Sequence, residues 1–389
     1  MNQTTSPTSS PIVVIGSGLA GYTLIREIRK LNKETPITLI TKEPGYFYSK
    51  PMLSTALAGK KEALQLISTP ADAMATQLEI QLMPETEVMS IDPTQKTIKT
   101  NNGDVAYEHL VLALGADQIR IPCEGNATEE ILTVNDLEDY AKFRDAITGQ
   151  KKVAILGAGL IGCEFANDLV LGGHEVDVID LAPQALGRLL PEIAAKELQA
   201  KLNAAGVRWH FNTTAKSIDR VQNQIQITLA DGNSLSCDVV LSAIGLKPRT
   251  DLAKASGINT GNGIQVNRQL ETNVPHIYAI GDCAEVEGLV LPYVMPIMQA
   301  ARALAVTLTS QSTPLTYPAM PVMVKTPALP TIVSPPAKDV MGTWKTQEVE
   351  GGLEARFESA DGKLLGFVLM GTATAKRAAL AKELPPILG

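Results

Sequence analysis

The sequence predicts an α/β protein with two parallel-sheet units and a smaller α+β unit at its C-terminus. Two apolar runs, residues 12–15 and 153–156, each stop at a glycine-rich turn that leads into a helix-like stretch and then a second strand. Each repeat is therefore a βαβ unit, the core of a Rossmann-like dinucleotide-binding domain. From about Tyr317, clustered prolines and alternating strand-like runs replace this pattern. A chain of 389 residues, against roughly 100–200 per domain, accommodates all three units.

The first glycine-rich turn has the spacing of a dinucleotide-binding fingerprint. Its first glycine permits a tight turn, its second lets a pyrophosphate approach the backbone, and its third lets helix and strand pack closely. The phosphates then lie at a helix N-terminus, where free N–H groups favour anions. A glycine-rich turn used only for packing is the alternative. We expect the cofactor to contact Gly16, Ser17, Gly18, Ala20 and Gly21.

The second glycine-rich turn has the same context and adds an acid at the end of its second strand. Asp180 follows Gly162 by 18 residues, where a carboxylate can bind ribose hydroxyls and repel a 2′-phosphate. NAD(H) is therefore favoured over NADP(H), the alternative for Asp180 being a solvated strand-end charge. The residues expected at this site are Gly157, Gly159, Leu160, Ile161, Gly162 and Asp180.

The first motif departs from this pattern at the corresponding strand end. Thr41 stands where an acid is expected, and Glu43 follows one turn of chain later. We keep both as candidates for the adenosine ribose. Two dinucleotide sites in one chain suggest two different dinucleotides, and FAD with NAD(H) is the economical pairing.

Composition excludes several classes of protein. A net charge of −7 and 4% aromatic residues disfavour nucleic-acid binding. The four cysteines show no metal-binding spacing and no disulfide framework, so we expect buried free thiols, no metal and a cytoplasmic location. Residues 1–11 form a polar tail, and no run of 18 apolar residues predicts a membrane span. We expect a monomer or a homodimer.

Together these motifs resemble the pyridine nucleotide–disulfide reductase-like flavoproteins over almost the whole chain. Residues 277–282 are similar to the second FAD motif of that family, which makes Asp282 the expected ligand of the ribitol chain, with a helix N-cap as the alternative. The resemblance implies an FAD domain in two parts, 1–116 and 243–316, an inserted NAD domain, 117–242, and a C-terminal domain, 317–389.

The same resemblance implies roles for residues outside the glycine-rich turns. Glu164 matches an acid near the nicotinamide, the alternative being a first-turn glutamate that complements the helix dipole. Lys50 and Lys325 are then cations beside the isoalloxazine, each otherwise a surface lysine. Pro296 is expected as the first residue of a helix over 295–308 that points at the flavin. Further cofactor contacts are implied at Pro51, Val88, Ala113, Gly115, Gly245, Gly281 and Val294.

Well-known members of this family carry a redox-active cysteine pair close to residues 44–57, and this sequence has no cysteine before Cys123. A dithiol relay is therefore excluded. Residues 48–54 instead resemble the flavin-facing stretch of reductases that serve small iron proteins, with the reductases of rubredoxin as the most similar branch and those of flavorubredoxin close by.

The resemblance implies that a hydride passes from NADH to FAD and that single electrons then pass to rubredoxin, in support of an alkane hydroxylase. Rubredoxins are generally acidic, so docking requires local cations, for which Arg302, Lys376, Arg377 and Lys382 are candidates. Reduction of ferredoxin or flavorubredoxin, NADH oxidase activity, and a non-catalytic NADH-sensing flavoprotein remain alternatives.

Overall fold

The structure, a computed structural model, describes residues 10–389, with side chains from residue 12 onward. Residues 1–9 of the expected N-terminal tail lie outside the described residues. Ser10 and Pro11 belong instead to the first strand, which begins two residues earlier than the apolar pattern indicates.

Residues 10–118 form most of the first unit, a mixed sheet whose central strands are parallel. Its core strands are short and β-branched, and they are buried on both faces, as parallel strands usually are. The elements are β1 (Ser10–Ile15), α1 (Leu19–Leu31), β2 (Ile37–Ile40), β3 (Phe47–Tyr48), β4 (Ile67–Thr69), α2 (Ala71–Leu78), β5 (Gln81–Met83), β6 (Val88–Asp92), β7 (Thr97–Thr100), β8 (Gly103–Leu112) and β9 (Ala116–Gln118).

The next segment contains a four-stranded parallel sheet and a three-stranded antiparallel sheet. One helix, α4, follows the second glycine-rich turn, and the parallel sheet has the order β12-β11-β10-β16. The elements are α3 (Leu137–Ile147), β10 (Lys152–Leu156), α4 (Leu160–Leu171), β11 (Glu175–Asp180), α5 (Glu192–Ala205), β12 (Val207–Phe211), β13 (Ala215–Val221), β14 (Gln224–Leu229), β15 (Ser234–Cys237) and β16 (Val239–Ser242).

The chain then returns to the first sheet, where a strand of the third segment pairs in parallel with β8. The elements here are β17 (Leu246–Pro248), α6 (Asp251–Ala255), β18 (Ile264–Val266), β19 (Ile277–Ala279), β20 (Ala284–Val286) and α7 (Val294–Thr309). The first sheet has the order β5-β2-β1-β8-β7-β6, with β19 added beside β8. Strands far apart in sequence thus build one sheet, which agrees with an FAD domain in two parts, although the exact boundaries stay a prediction.

The C-terminal segment is an antiparallel five-stranded sheet of order β21-β22-β25-β24-β23 with one short helix. The sequence pattern predicts strand-like runs at 354–358 and 364–369 and a final helix over 373–384. The structure has strands at both places, but the helix begins only at Arg377, because a 3₁₀ turn occupies residues 372–376. The elements are β21 (Val322–Val324), β22 (Thr331–Ser334), β23 (Thr343–Val349), β24 (Gly352–Glu358), β25 (Leu364–Gly371) and α8 (Arg377–Glu383).

One face of the C-terminal sheet shares a hydrophobic core with the segment that contains α4. Val324 and Val368 of the sheet belong to the same buried cluster as Phe165 of α4 and Leu53 of the first segment. Helices α1 and α7 pack against each other in a separate core around the first sheet. No helix in residues 10–389 combines the length and the apolar character that crossing a bilayer requires.

A row of buried polar residues on α4 connects three segments of the chain; we call Glu164, Asn167 and Asp168 the α4 polar row. Asp168 accepts the backbone N–H groups of Leu57 and Ala58, each at 2.9 Å. Asn167 accepts the N–H of Ala328 at 3.0 Å. Burying such groups is costly unless they are hydrogen-bonded. These bonds therefore fix how the first and C-terminal segments meet the helix.

We expect Asp168 to make stability depend on pH. Burial raises the pKa of Asp168 to about 6, and the N–H groups of Ala58 and Leu57 only partly offset this. Since the folded protein then binds this proton more tightly than the unfolded chain does, stability falls as pH rises from about 4 to about 6. Between pH 4 and pH 7 the unfolding free energy of the wild type, relative to Asp168→Asn, should fall by roughly 2 kcal/mol. Urea denaturation followed by tryptophan fluorescence measures this difference. The exposed Asp104→Asn is the control, and a pH-independent difference for Asp168→Asn would contradict the assignment.

Candidate functional site

The first glycine-rich turn has one open position between two crowded ones. Gly16 has φ +114°, and a β-carbon there would overlap the carbonyl oxygen of Ala113. A β-carbon on Gly21 would overlap the carbonyl oxygen of Gly16, whereas one on Gly18 would meet nothing within 4 Å. The turn is therefore tight and packed against its strand and helix, but open at the glycine that a pyrophosphate approaches.

The second turn repeats this geometry. Gly157 has φ +104° and is crowded by Ala243, and a β-carbon on Gly162 would overlap the carbonyl oxygen of Gly157. A β-carbon on Gly159 would meet nothing within 4 Å. The N-caps of α1 and α4 are Gly18 and Gly159, and neither helix has a side-chain cap. Their first backbone N–H groups thus remain available to phosphate oxygens.

At the end of β2, the structure gives Thr41 and Glu43 different environments. Thr41 is buried, and its hydroxyl hydrogen-bonds the Ser17 hydroxyl at 2.9 Å and accepts the N–H of Glu43 at 3.2 Å. Glu43 instead lines an open cavity of about 260 Å³ that also includes Asp136 and Arg249. Burial, followed by the charge of Asp136, raises the pKa of Glu43. Thr41 therefore fixes the turn, and a contact between Glu43 and a ribose stays a prediction.

Asp180 ends β11 and supports the second turn. One carboxylate oxygen accepts the N–H of Ala158 at 2.5 Å and the other accepts that of Ala182 at 2.7 Å. The residue stays half-buried, and each carboxylate oxygen can accept further hydrogen bonds. Asp180 thus holds the glycine-rich turn while retaining capacity for ribose hydroxyls.

Asp282 and Lys50 face the same region from two segments. The Oδ1 atom of Asp282 is buried and has no hydrogen-bond partner among the described residues. Burial raises the pKa of Asp282, and the charge of Lys50 lowers it in part. Lys50 donates to Asn135 Oδ1 at 2.6 Å, which excludes the alternative of a solvated surface lysine. An unpaired buried carboxylate oxygen is the acceptor that a polyhydroxyl ribitol chain needs.

Glu164 and Ser54, both buried, form a cluster with the partly exposed Lys325 where the first, α4-containing and C-terminal segments meet. Glu164 Oε2 lies 2.7 Å from Lys325 Nζ and accepts the Ser54 hydroxyl at 2.6 Å. Lys325 also donates to Ser54 Oγ at 2.9 Å and to the carbonyl of Pro51. Glu164 is only 1% exposed and lies beyond the first turn of α4, so it is not a first-turn glutamate that complements the dipole. The structure thus brings two expected site residues together as an ion pair.

The remaining expected residues fall into two groups by their positions. Several lie at strand ends or helix starts, where the cofactor sites are expected: Ala113, Gly115, Gly245, Gly281, Leu160 and Ile161. Gly281 approaches Ala20 so closely that a β-carbon would lie 2.8 Å from the alanine methyl group, which places Asp282 beside the first turn. Val88 begins β6, and Val294 is an exposed residue at the start of α7. Whether these residues contact the cofactor stays a prediction.

Two expectations are wrong in detail. Pro296 is the third residue of α7, not the first, because Val294 begins the helix and Tyr293 caps it. A proline is tolerated there, since the first-turn N–H groups have no intrahelical partner. Cys123 is half-buried rather than buried, although all four cysteines are free.

Sequence reasoning missed Ser54, Asn135 and Arg249. Ser54 stands in the motif-like stretch 48–54, so its position alone could have drawn attention to it. Asn135 and Arg249 have no such motif, and each reaches the site from a loop remote in sequence. Their roles become visible only from the contacts that they make.

The residues present fit two dinucleotides. Two open glycines at uncapped helix starts suit two pyrophosphates, and the unpaired carboxylate oxygen of Asp282 suits a ribitol. The described residues contain no group of histidine, cysteine, aspartate or glutamate side chains that could hold a metal ion.

Comparisons with known proteins agree with this geometry. Residues 10–305 match the family model of pyridine nucleotide-disulphide oxidoreductases, and residues 314–384 match the rubredoxin binding C-terminal domain. The chain is 47% identical to a rubredoxin-NAD(+) reductase of Alcanivorax borkumensis, over 97% of this chain and 99% of the relative. It is 48% identical to the rubredoxin-NAD(+) reductase of Acinetobacter baylyi, over 97% and 98%. A ferredoxin reductase structure from Rhodopseudomonas palustris matches with a TM-score of 0.88 at 28% identity, covering 98% of this chain and 96% of that one.

The two glycine positions of the second turn give a matched pair of variants. Gly162→Ala places a methyl group against the carbonyl of Gly157, so we expect it to lower the unfolding free energy by about 1–3 kcal/mol. Gly159→Ala meets open space at φ −73° and should fold normally, yet it should raise the KM for NADH about tenfold by blocking the phosphates. Thermal unfolding and steady-state kinetics check both. Normal NADH binding by Gly159→Ala would contradict the site.

The Glu164–Lys325 pair predicts a partial rescue. Glu164→Gln leaves the Lys325 ammonium with neutral acceptors only, and removing one partner of a fully buried pair costs about 3–5 kcal/mol. Because the Lys325 side chain is 27% exposed, we expect a smaller loss of about 1–3 kcal/mol. The double variant Glu164→Gln/Lys325→Met should recover part of this loss in chemical denaturation. If the loss in the double variant equals the sum of the losses in Glu164→Gln and Lys325→Met, the pair is not coupled.

Proposed function

We propose that this chain, which belongs to the pyridine nucleotide-disulphide oxidoreductase family, is an NADH:rubredoxin reductase. The enzymes of this family use FAD and NAD(H). One observation carries the proposal. The segment that matches the rubredoxin binding domain supplies Lys325 to the cluster with Glu164 and Ser54. The segment expected to contact the acceptor therefore reaches the expected flavin site. The names of the two rubredoxin-NAD(+) reductases support the same acceptor.

FAD supplies the chemistry that converts a two-electron donor into a one-electron output. The chain has no cysteine in residues 44–57, where a redox-active pair is expected in related reductases, so no thiol there can take part. Its residues orient the cofactors and set the charge around them. An acceptor outside the chain would therefore have to take electrons from bound FAD itself and not from a cysteine pair of the chain.

The two lysines contribute differently to that charge. Glu164 neutralises Lys325, while Lys50 has no ion-pair partner among the described residues. Lys50 therefore presents a net positive charge to an anionic cofactor. The start of α7 adds the positive end of a helix dipole near Gly281 and Asp282.

The expected docking cations also separate into two groups. Lys376 is paired with Glu354 at 2.5 Å, so its charge is largely compensated. Lys382 of α8 and Arg302 of α7 are exposed, and Arg377 is half-buried, with no ion pair among the described residues. Arg377 and Lys382 lie within the segment that matches the rubredoxin binding domain and Arg302 does not, so Arg377 and Lys382 are the proposed contacts with an acidic rubredoxin.

The proposed acceptor also suggests a physiological role. The fit of residues 48–54 to the branch that feeds alkane hydroxylases supports supply of electrons to such a system. Four unpaired cysteines support a cytoplasmic location.

Anaerobic stopped-flow spectroscopy tests the function. Mixing with NADH should bleach the yellow flavin absorbance, and adding rubredoxin should restore it while the rubredoxin absorbance falls. Charge reversal of Arg377 and Lys382 to glutamate should raise the KM for rubredoxin about tenfold or more without changing dye reduction.

The other candidate functions are outcomes of the same experiment. Faster reoxidation by ferredoxin, flavorubredoxin or oxygen than by rubredoxin would replace the proposed acceptor. Tight NADH binding with negligible turnover toward every acceptor would instead indicate an NADH sensor.

A further inference from the structure

Lys50 and Lys325 lie at the proposed flavin site but are held in different ways. An ammonium group has three protons, and Lys325 donates to three acceptors: Glu164, Ser54 and the Pro51 carbonyl. Lys50 donates to one acceptor among the described residues, Asn135 Oδ1 at 2.6 Å. Two of its protons thus remain available for a cofactor.

Both ends of the Asn135 side chain are engaged. Its Oδ1 accepts from Lys50, and its Nδ2 donates to the carbonyl of Ala116 at 3.0 Å. If the amide were turned round, its NH₂ group would face the Lys50 ammonium, which is also a donor, and its oxygen would face the Ala116 carbonyl, which is also an acceptor. The two contacts therefore fix the orientation of the amide. Its backbone N–H donates to Asp139 Oδ2 at 3.0 Å, which holds the residue at the start of α3.

The groups around Lys50 explain why a neutral partner matters. Burial lowers the pKa of Lys50, the charge of Asp282 raises it, and Arg249 lowers it again. Glu43 and Asp136 are the other charged groups that act on it. A carboxylate at position 135 would hold the ammonium but cancel its charge, whereas an amide holds the ammonium and leaves the charge in place.

We propose that Asn135 is a positioning residue that holds Lys50 toward FAD without neutralising it. FAD is anionic through its pyrophosphate, and an ammonium group that is held in place and has no direct ion-pair partner among the described residues attracts the cofactor more strongly than a mobile one does. Asn135 comes from the expected inserted segment, while Lys50 and Ala116 belong to the first segment. The amide thereby links FAD retention to the attachment of the inserted segment. This inference rests on the FAD-binding part of the proposed function and is independent of the acceptor.

A double-mutant cycle on FAD release tests the proposal. The holoenzyme is diluted, and the rise of free FAD fluorescence gives the rate of release. Losing a hydrogen bond to a charged group corresponds to roughly a 10- to 100-fold change, so Asn135→Leu and Lys50→Met should each speed release by about that factor. Because Asn135 acts through Lys50, the double variant should release FAD no faster than Lys50→Met alone. Release by Asn135→Leu at the wild-type rate, or multiplicative effects in the double variant, would overturn the proposal.

Two further variants separate position from charge and from general loosening. Asn135→Asp keeps an acceptor for Lys50 but neutralises it, so it should also speed release, and wild-type release would contradict the role of a neutral partner. Asn126→Leu removes another long-range amide contact, to the N–H of Arg220 at 2.7 Å, and should leave release unchanged. The assay uses no acceptor protein, so a failure to reduce rubredoxin leaves its result intact.

Discussion

The α4 polar row is the constraint on which the rest of the site depends. Glu164, Asn167 and Asp168 are each buried, and each is bonded to a segment other than its own. Buried polar groups without partners are costly, so these three residues tolerate few arrangements of the surrounding segments. The first and C-terminal segments are thereby held against the helix that follows the second dinucleotide turn. The two expected cofactor sites, which are built from separate segments, are thereby held in a fixed position relative to each other.

The two lysines at the expected flavin site, Lys325 and Lys50, have partners of different charge. On one side, Glu164 compensates Lys325 where the C-terminal segment enters the site. On the other, a neutral amide holds Lys50 near the unpaired oxygen of Asp282. The ion pair fixes the position of Lys325 and neutralises it, whereas the amide fixes the position of Lys50 and leaves its positive charge in place. The sequence has no cysteine pair in residues 44–57, so bound FAD would have to pass electrons to an acceptor without a thiol relay.

The first dinucleotide turn shows how a departure from a motif is accommodated. Thr41 replaces the usual strand-end acid, and its hydroxyl bonds both Ser17 and the backbone of Glu43. The acid of this turn, Glu43, thus stands two residues later in the chain, and the Thr41 hydroxyl accepts its backbone N–H. The sequence left two candidates open because the motif describes spacing and not hydrogen bonds. The contacts around Thr41 favour Glu43.

The sequence by itself determined both glycine-rich turns, the strands around them and the lack of a dithiol. These features are local: a strand, a turn and a helix follow one another within about 30 residues, and glycine is required wherever a β-carbon would overlap the backbone. Only the tertiary structure decided which side chains meet. Glu164 and Lys325 stand 161 residues apart, and Lys50 and Asn135 stand 85 apart. No periodicity or spacing connects residues so remote, because their contact depends on how whole segments pack around α4.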